Sequence, residues 1–186
     1  YKYCRADVVI DGRVVKAVGV RKKGSLGSVT STRPALKIKF DEYVNDQEFS
    51  GLDMLTLNNC LLDPTKAHQF LAYSFMSKAG VPAPRSNLAH VVVNGEDLGI
   101  YANVEAIRKT FIKRYFSDAK GDLYENVSNA DLTTNLMRRI VHKWGKDDDR
   151  VQLRRLVEVL ERPGPVSLAG IDELVENPLL HIERHH

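Results

Sequence analysis

Apolar and polar residues alternate in the amino-terminal part of the chain in short runs of period two. The carboxy-terminal part shifts to a spacing of three and four, so strands come first and helices dominate later. Asp7-Val8-Val9-Ile10 and Val14-Val15-Lys16-Ala17-Val18-Gly19-Val20 flank Asp11-Gly12, a dipeptide that supplies the positive φ angles of a tight hairpin. From Ala35 to Phe40 the apolar set Leu36, Ile38 and Phe40 alternates with Lys37 and Lys39. A strand there puts the apolar side chains on a core and both lysines on the opposite face. Leu52 to Leu57 reads as a further strand ending at Asn58-Asn59. His90 to Val93 and Leu98 to Val104, joined by Asn94-Gly95, form a second hairpin whose apolar runs predict a central, well-covered place in the sheet.

Helix signals fall between and after these strands. Asp63-Pro64 combines a capping carboxylate with a residue suited to the first helical position. Ala67, Phe70, Leu71, Ser74 and Phe75 then fall on one stripe, which a sheet would cover. Gly80 ends that helix, and Pro82 and Pro84 keep the following chain extended. Ile107, Phe111 and Tyr115 recur four apart on a second helical face that Gly121 terminates. Leu123-Tyr124 is a short strand, Asn126 to Thr134 a polar loop, and Leu136 to Trp144 a short helix. Asp147-Asp148-Asp149 suits a helix N-terminus better than a metal site, with Leu153, Leu156, Val157 and Leu160 as the stripe behind it. Pro163-Gly164-Pro165 breaks the chain before a last short helix over Ser167 to Val175. The closing residues, with His185-His186, read as an artificial tail and are left out of any metal argument.

Composition changes this picture little. Of 186 residues 43% are hydrophobic and 27% charged, which fits one globular domain with a helical appendage. The net charge of +3 is mild and the basic residues are spread out, which disfavours a dedicated nucleic-acid binder. No apolar run reaches the ~20 residues that span a bilayer. Cys4 and Cys60 are too few and too far apart for a zinc site; they read as two buried thiols or one long-range disulfide, which leaves the compartment open.

Candidate chemistry gathers around Arg21-Lys22-Lys23-Gly24-Ser25-Leu26-Gly27-Ser28, a basic, glycine-containing turn between strands. Glycines let backbone N–H groups approach an anion, so the turn can cradle phosphate, although it matches neither GxxxxGK[ST] nor GxGxxG; the plainer reading is a solvated hairpin loop. Lys37 and Lys39 can act as point charges on phosphates, or simply keep an edge strand soluble. His68, His90 and His142 lack metal-ligand spacing and read as locally hydrogen-bonded residues. Ser25, Ser28 and Ser31 have no histidine–acid partners in pattern, so a hydrolase triad is unsupported.

The order of glycine-containing turn, lysine strand, helix, hairpin and connector matches the amino-terminal lobe of a kinase-like fold. More specifically, the chain resembles the CotH family of spore-coat kinase-like proteins over about residues 1–125. The resemblance rests on Arg21 to Ser28, Arg33-Pro34-Ala35-Leu36-Lys37-Ile38-Lys39-Phe40-Asp41, Gly51 to Asn58, His68 to Tyr73 and Gly80-Val81-Pro82-Ala83-Pro84-Arg85. It continues through Val93 to Tyr101, Glu105 and Gly121-Asp122-Leu123-Tyr124-Glu125.

The resemblance implies an α+β fold, a mostly antiparallel sheet with flanking helices, as in the amino-terminal lobe and linker of an atypical protein kinase. Residues 1–125 would be the nucleotide-facing lobe, 126–178 a helical extension beginning an incomplete second lobe, and 179–186 the tail. It further implies ATP with Mg or Mn, phosphoryl transfer to serine of a protein substrate, and a secreted, cell-surface or spore-coat setting. The nucleotide-binding set would be Arg21, Lys22, Lys23, Gly24, Ser25, Gly27, Ser28, Lys37, Lys39 and Glu105, with Asn103-Val104-Glu105 offering backbone groups to adenine. The family's later asparagine- and tyrosine-rich strand and its tryptophan–aspartate segment have no counterpart here. Asp118, Asp122, Asp131 and Asp172 are scattered, none is assigned as catalytic base, and the chain by itself is expected to bind nucleotide weakly without robust turnover. The alternative is a non-catalytic coat or surface module that presents loops to a protein partner on the same scaffold.

Overall fold

A computed structural model describes residues 1–24, 28, 30–116, 121–146, 149–162 and 180–184. The chain divides into two compact units, Tyr1–Phe111 and Ile112–His186.

The first unit is built on one six-stranded sheet in the order β1-β2-β3-β4-β6-β5, every neighbouring pair antiparallel. The strands are β1 (Cys4–Ile10), β2 (Arg13–Lys23), β3 (Ala35–Lys39), β4 (Met54–Asn58), β5 (Ser86–Val93) and β6 (Glu96–Val104). Helix α1 (His68–Lys78) lies between β4 and β5 in the chain, and α2 (Lys109–Tyr115) carries the boundary between the units. Both predicted hairpins form, with positive φ at Asp11-Gly12 and Asn94-Gly95. The α+β expectation therefore holds, with an antiparallel sheet and flanking helices.

Alternation places Leu36 and Ile38 of β3 in one core with Val18, Phe40, Leu55, Leu57 and Tyr101. Phe49 and Leu52 close this core from the β3–β4 connection, exchanging backbone hydrogen bonds of 2.9 and 3.0 Å, and the Phe49 ring stacks on Phe40 at 5.8 Å. Loop residues thus cover this side of the sheet. Helix α1 buries none of its residues: Leu71 is 59% and Phe75 73% exposed. It also starts later than Asp63-Pro64 predicts. Those residues form a turn in which Asp63 Oδ2 accepts the His68 N–H at 2.9 Å, so the carboxylate serves the helix start from outside the helix.

The second hairpin is not central. β5 is a sheet edge with only Val91 buried, while its partner β6 buries Leu98, Tyr101, Ala102 and Val104. Alternation alone cannot say which strand of a hairpin will find another neighbour. Neither cysteine is buried or bridged; Cys4 is exposed on β1 and Cys60 half-buried.

The second unit contains a three-stranded sheet, β8-β7-β9, formed by β7 (Asp122–Asn126), β8 (Val141–Trp144) and β9 (Leu180–Arg184). β7 pairs antiparallel with β8 and parallel with β9, so the segment that reads as an artificial tail runs as a strand. Tyr124, Met137, Ile140, Leu153 and Val157 form its core, with α3 (Val151–Leu160) supplying the predicted stripe. The short helix expected over 136–144 is instead a 3-10 turn, Met137–Arg139, followed by β8, since Val141 and His142 find a pairing partner in β7. α3 has no acidic residue in its first turn; its N-cap is Arg150 at φ 55°, and Asp149 contributes its backbone carbonyl to Arg154. Asp147, Asp148, the 163–165 break, the helix expected over 167–175 and His185-His186 lie outside the described residues. Among the described residues no helix is long and apolar enough to cross a membrane.

Candidate functional site

Strand register decides which basic side chains meet. Arg21 of β2 sits opposite Lys37 of β3, which sits opposite Thr56 of β4; Gly19, Lys39 and Met54 form the next row, and Lys23 faces Ala35. Directly opposed residues share a face with Cβ atoms ~5 Å apart, and the face alternates along each strand. Arg21, Lys23, Lys37 and Lys39 therefore stand together on the face turned away from Leu36, Ile38 and Leu55. Lys22, opposite Leu36, points to the other side and leaves the group.

The turn after β2 is tied at its base by Ser28. Its buried hydroxyl accepts the Ala35 N–H at 3.3 Å and reaches the Lys23 carbonyl at 3.5 Å. Gly24, at φ +106°, lies so close that a Cβ there would meet the Ser28 side chain at 2.9 Å. Ser25, Leu26 and Gly27 lie outside the described residues. The far end of the turn is pinned by Arg33, which donates to the carbonyls of Leu98 and, at 2.8 Å, Ile100, and lies over the Tyr101 ring at 5.1 Å. Burial pushes the Tyr101 hydroxyl above its ordinary pKa, and that hydroxyl donates to the Pro34 carbonyl at 3.1 Å.

The cations of this face differ in their partners. Lys39 Nζ bonds Glu42 Oε2 at 2.9 Å and lies 3.7 Å from Asp41; the Glu42 hydrogen bond, outweighing partial burial, holds its pKa above the ordinary value. An ammonium clamped by carboxylates is a poor anion ligand. Lys23 reaches past the small Ala35 to Asn58 Oδ1 at 2.8 Å, and Asn58 Nδ2 donates to Gln69 Oε1 of α1 at 2.8 Å. The Arg21 guanidinium lies over the Tyr3 ring at 5.3 Å.

Glu105 stands apart from this group. Its nearly buried carboxylate takes the Arg85 guanidinium at 3.1 Å and the Arg85 N–H at 3.0 Å, and its own N–H donates to the Arg85 carbonyl at 2.9 Å. That N–H is therefore committed to Arg85 and not presented to a ligand. Arg85 and Glu105 border a cleft of about 180 Å³ with Leu52, Leu55, Asn87 and Asn103. By register Leu55, Asn87 and Asn103 occupy the core side of the sheet, opposite to Lys37. Cleft and basic face are thus separate places. Ser86 Oγ and Asn103 Oδ1 at the cleft are buried without a protein partner, a role water fills in roomy polar sites.

His68, His90 and His142 are each held by an aspartate, as expected of locally satisfied imidazoles: His68 by Asp63 at 2.8 Å, His90 by Asp97 at 2.7 Å, His142 by Asp122 at 2.8 Å. His142 also stacks on Tyr124 at 5.0 Å. The Gly99 N–H, and after it His90, holds Asp97 below its usual pKa. Among the described residues no three His, Cys, Asp or Glu side chains gather as a metal site. Among those residues a divalent ion finds no protein ligand set, and the charged groups gathered on the Lys37 face are cations. Asp118 and Asp172 lie outside the described residues.

Sequence reasoning did not single out Asn58 and Gln69: both lie in segments that carry the family resemblance, but nothing along the chain marks them as a pair. The Arg85–Glu105 clamp joins two residues of the family pattern, but nothing in their spacing pairs them.

The family model described as CotH kinase protein matches residues 20–169. The match starts within β2 and runs through β7, β8 and α3, past residue 125 where the resemblance read from the sequence ends. No curated protein matches the chain.

Proposed function

The chain belongs to the CotH kinase family, and we propose that it contributes the nucleotide-facing lobe of a protein serine kinase, receiving the triphosphate of ATP on the face that carries Arg21, Lys23 and Lys37. The observation that carries this reading is the register that sets Arg21 directly against Lys37, with Lys23 one row away. Two or three cations on adjacent strands offer a polyphosphate several charge-assisted hydrogen bonds without moving the backbone. Lys39, held by Glu42, and Lys22, on the other face, fall outside this set, and Glu105 acts on the lobe's structure through Arg85. Mg or Mn would arrive with the nucleotide's own oxygens.

Calorimetric titration of ATP and of Mg-ATP tests the reading. Lys37→Ala and Arg21→Ala are each expected to weaken binding about 10- to 100-fold, the scale of a hydrogen bond to a charged group. Lys22→Ala, on the other face, is expected to change affinity less than about twofold. Equal losses from all three, or none from Lys37→Ala, would refute it.

The second reading, a coat or cell-surface interaction module without catalysis, is favoured by the outward apolar residues of α1, Leu71, Phe75 and Met76. Flat isotherms for the wild type and all variants would support that reading.

A further inference from the structure

Helix α1 packs beside β5, yet its apolar residues Leu71 and Phe75 are turned outward, and the half-buried positions are Gln69, Tyr73 and Ser74, with Phe70 between the last two at 36% exposed. No residue of the helix is fully buried, so apolar burial alone does not seat it. A polar chain runs instead from the basic face to the helix: the Lys23 ammonium donates to Asn58 Oδ1, and Asn58 Nδ2 donates to Gln69 Oε1, both at 2.8 Å. Chemistry dictates its direction. An ammonium only donates, so Asn58 must offer its oxygen to Lys23; the Asn58 NH₂ then faces the helix and needs an acceptor, which Gln69 provides.

We infer that Asn58 and Gln69 are positioning residues, which tie helix α1 to the Lys23 ammonium and hold that ammonium in place on the basic face. What the face receives rests on the phosphate-binding reading above; the tie itself does not. A lysine stem held at its tip loses less rotamer freedom when an anion arrives, so the tie favours anion binding. It also makes the seating of α1 depend on a residue two strands away, a coupling that must act in both directions.

Amide hydrogen exchange over residues 68–78 tests the tie without any ligand. Asn58→Ala, Gln69→Met and Lys23→Ala are each expected to speed exchange in α1 about five- to tenfold, the scale of one hydrogen bond. Gln69→Glu, which keeps the acceptor oxygen, should retain protection, and unchanged exchange in the β2–β3 ladder shows that each variant has folded. Unaltered α1 exchange in Asn58→Ala and Gln69→Met, or in Lys23→Ala, would overturn the inference.

Tripolyphosphate titration supplies the second readout. Asn58→Ala should weaken binding about five- to tenfold beside Lys23 and not at all in a Lys23→Ala background, while equal losses in both backgrounds would overturn the claim that Asn58 acts through Lys23. A wild type that takes up no tripolyphosphate but shows the exchange pattern would support the tie and end the phosphate reading.

Discussion

Gly19→Ala measures how closely the Lys39 side of the basic face is built. A Cβ at Gly19 would lie 2.7 Å from Glu42 Cβ, 2.8 Å from Glu42 Cγ and 2.9 Å from Tyr3 Cδ1. The contact with Glu42 Cβ cannot be relieved by rotating a side chain, so the turn after β3 must shift and carry the Glu42 carboxylate off Lys39. Overpacking of this kind costs about 1–3 kcal/mol. Loss of the partly exposed Lys39–Glu42 pair adds at most about 0.5 kcal/mol. Against this, alanine restricts the unfolded chain and returns about 0.4–1 kcal/mol. The net expectation is a loss of about 1–2 kcal/mol from the first unit. Trp144, the single tryptophan, lies in the second unit. The suitable assay is therefore native-state hydrogen exchange of the β2–β3 ladder amides across a urea series. Glu42→Ala is the control, because it removes the ion pair but adds no atom at Gly19, and it should cost less than about 1 kcal/mol. A Gly19→Ala protein that loses no more protection than Glu42→Ala, or gains some, would refute the steric argument.

Asp63 offers a test by pH. The Thr65 hydroxyl first, then the His68 N–H and ring, hold its carboxyl at about 2 against an ordinary 3.8. Its stabilisation of the α1 start is therefore complete above pH ~4 and lost as pH falls from ~4 towards ~2. A carbon-detected titration of Asp63 should give a midpoint near the lower value, and a midpoint near 3.8 would contradict the geometry. Arg33→Lys keeps the charge but loses the fork that serves the Leu98 and Ile100 carbonyls and the overlap with Tyr101. It should cost about 1–2 kcal/mol in urea unfolding, and a neutral result would show that charge alone holds the turn.

Much of the first unit is legible in the chain itself. The alternation of Leu36 and Ile38 with Lys37 and Lys39 is sufficient to assign faces, because a strand has only two. Asp11-Gly12 and Asn94-Gly95 likewise specify their turns through local backbone sterics. The candidate site is legible in part: Lys37 is identifiable as a cation on the non-core face, but its meeting with Arg21 depends on register between strands separated by a long turn. Lys39 looks equivalent to Lys37 along the chain, and only the structure shows Glu42 folded back over Gly19 onto its ammonium. Helix α1 shows the same limit, since its apolar stripe predicts a buried face while Leu71 and Phe75 stay exposed and Gln69 is tied to Asn58.

Local chemistry therefore determined the hairpins, the strand faces, the family membership and the basic character of the 21–28 turn. Each of these depends on residues near one another in the chain, whose conformational choices are few. The tertiary structure decided which cations stand together, which are already held by carboxylates, and which side of α1 meets the sheet. Those outcomes turn on pairings between residues far apart in sequence, such as Lys23 with Asn58 and Arg85 with Glu105, where several partners are chemically acceptable and only strand order and register select one.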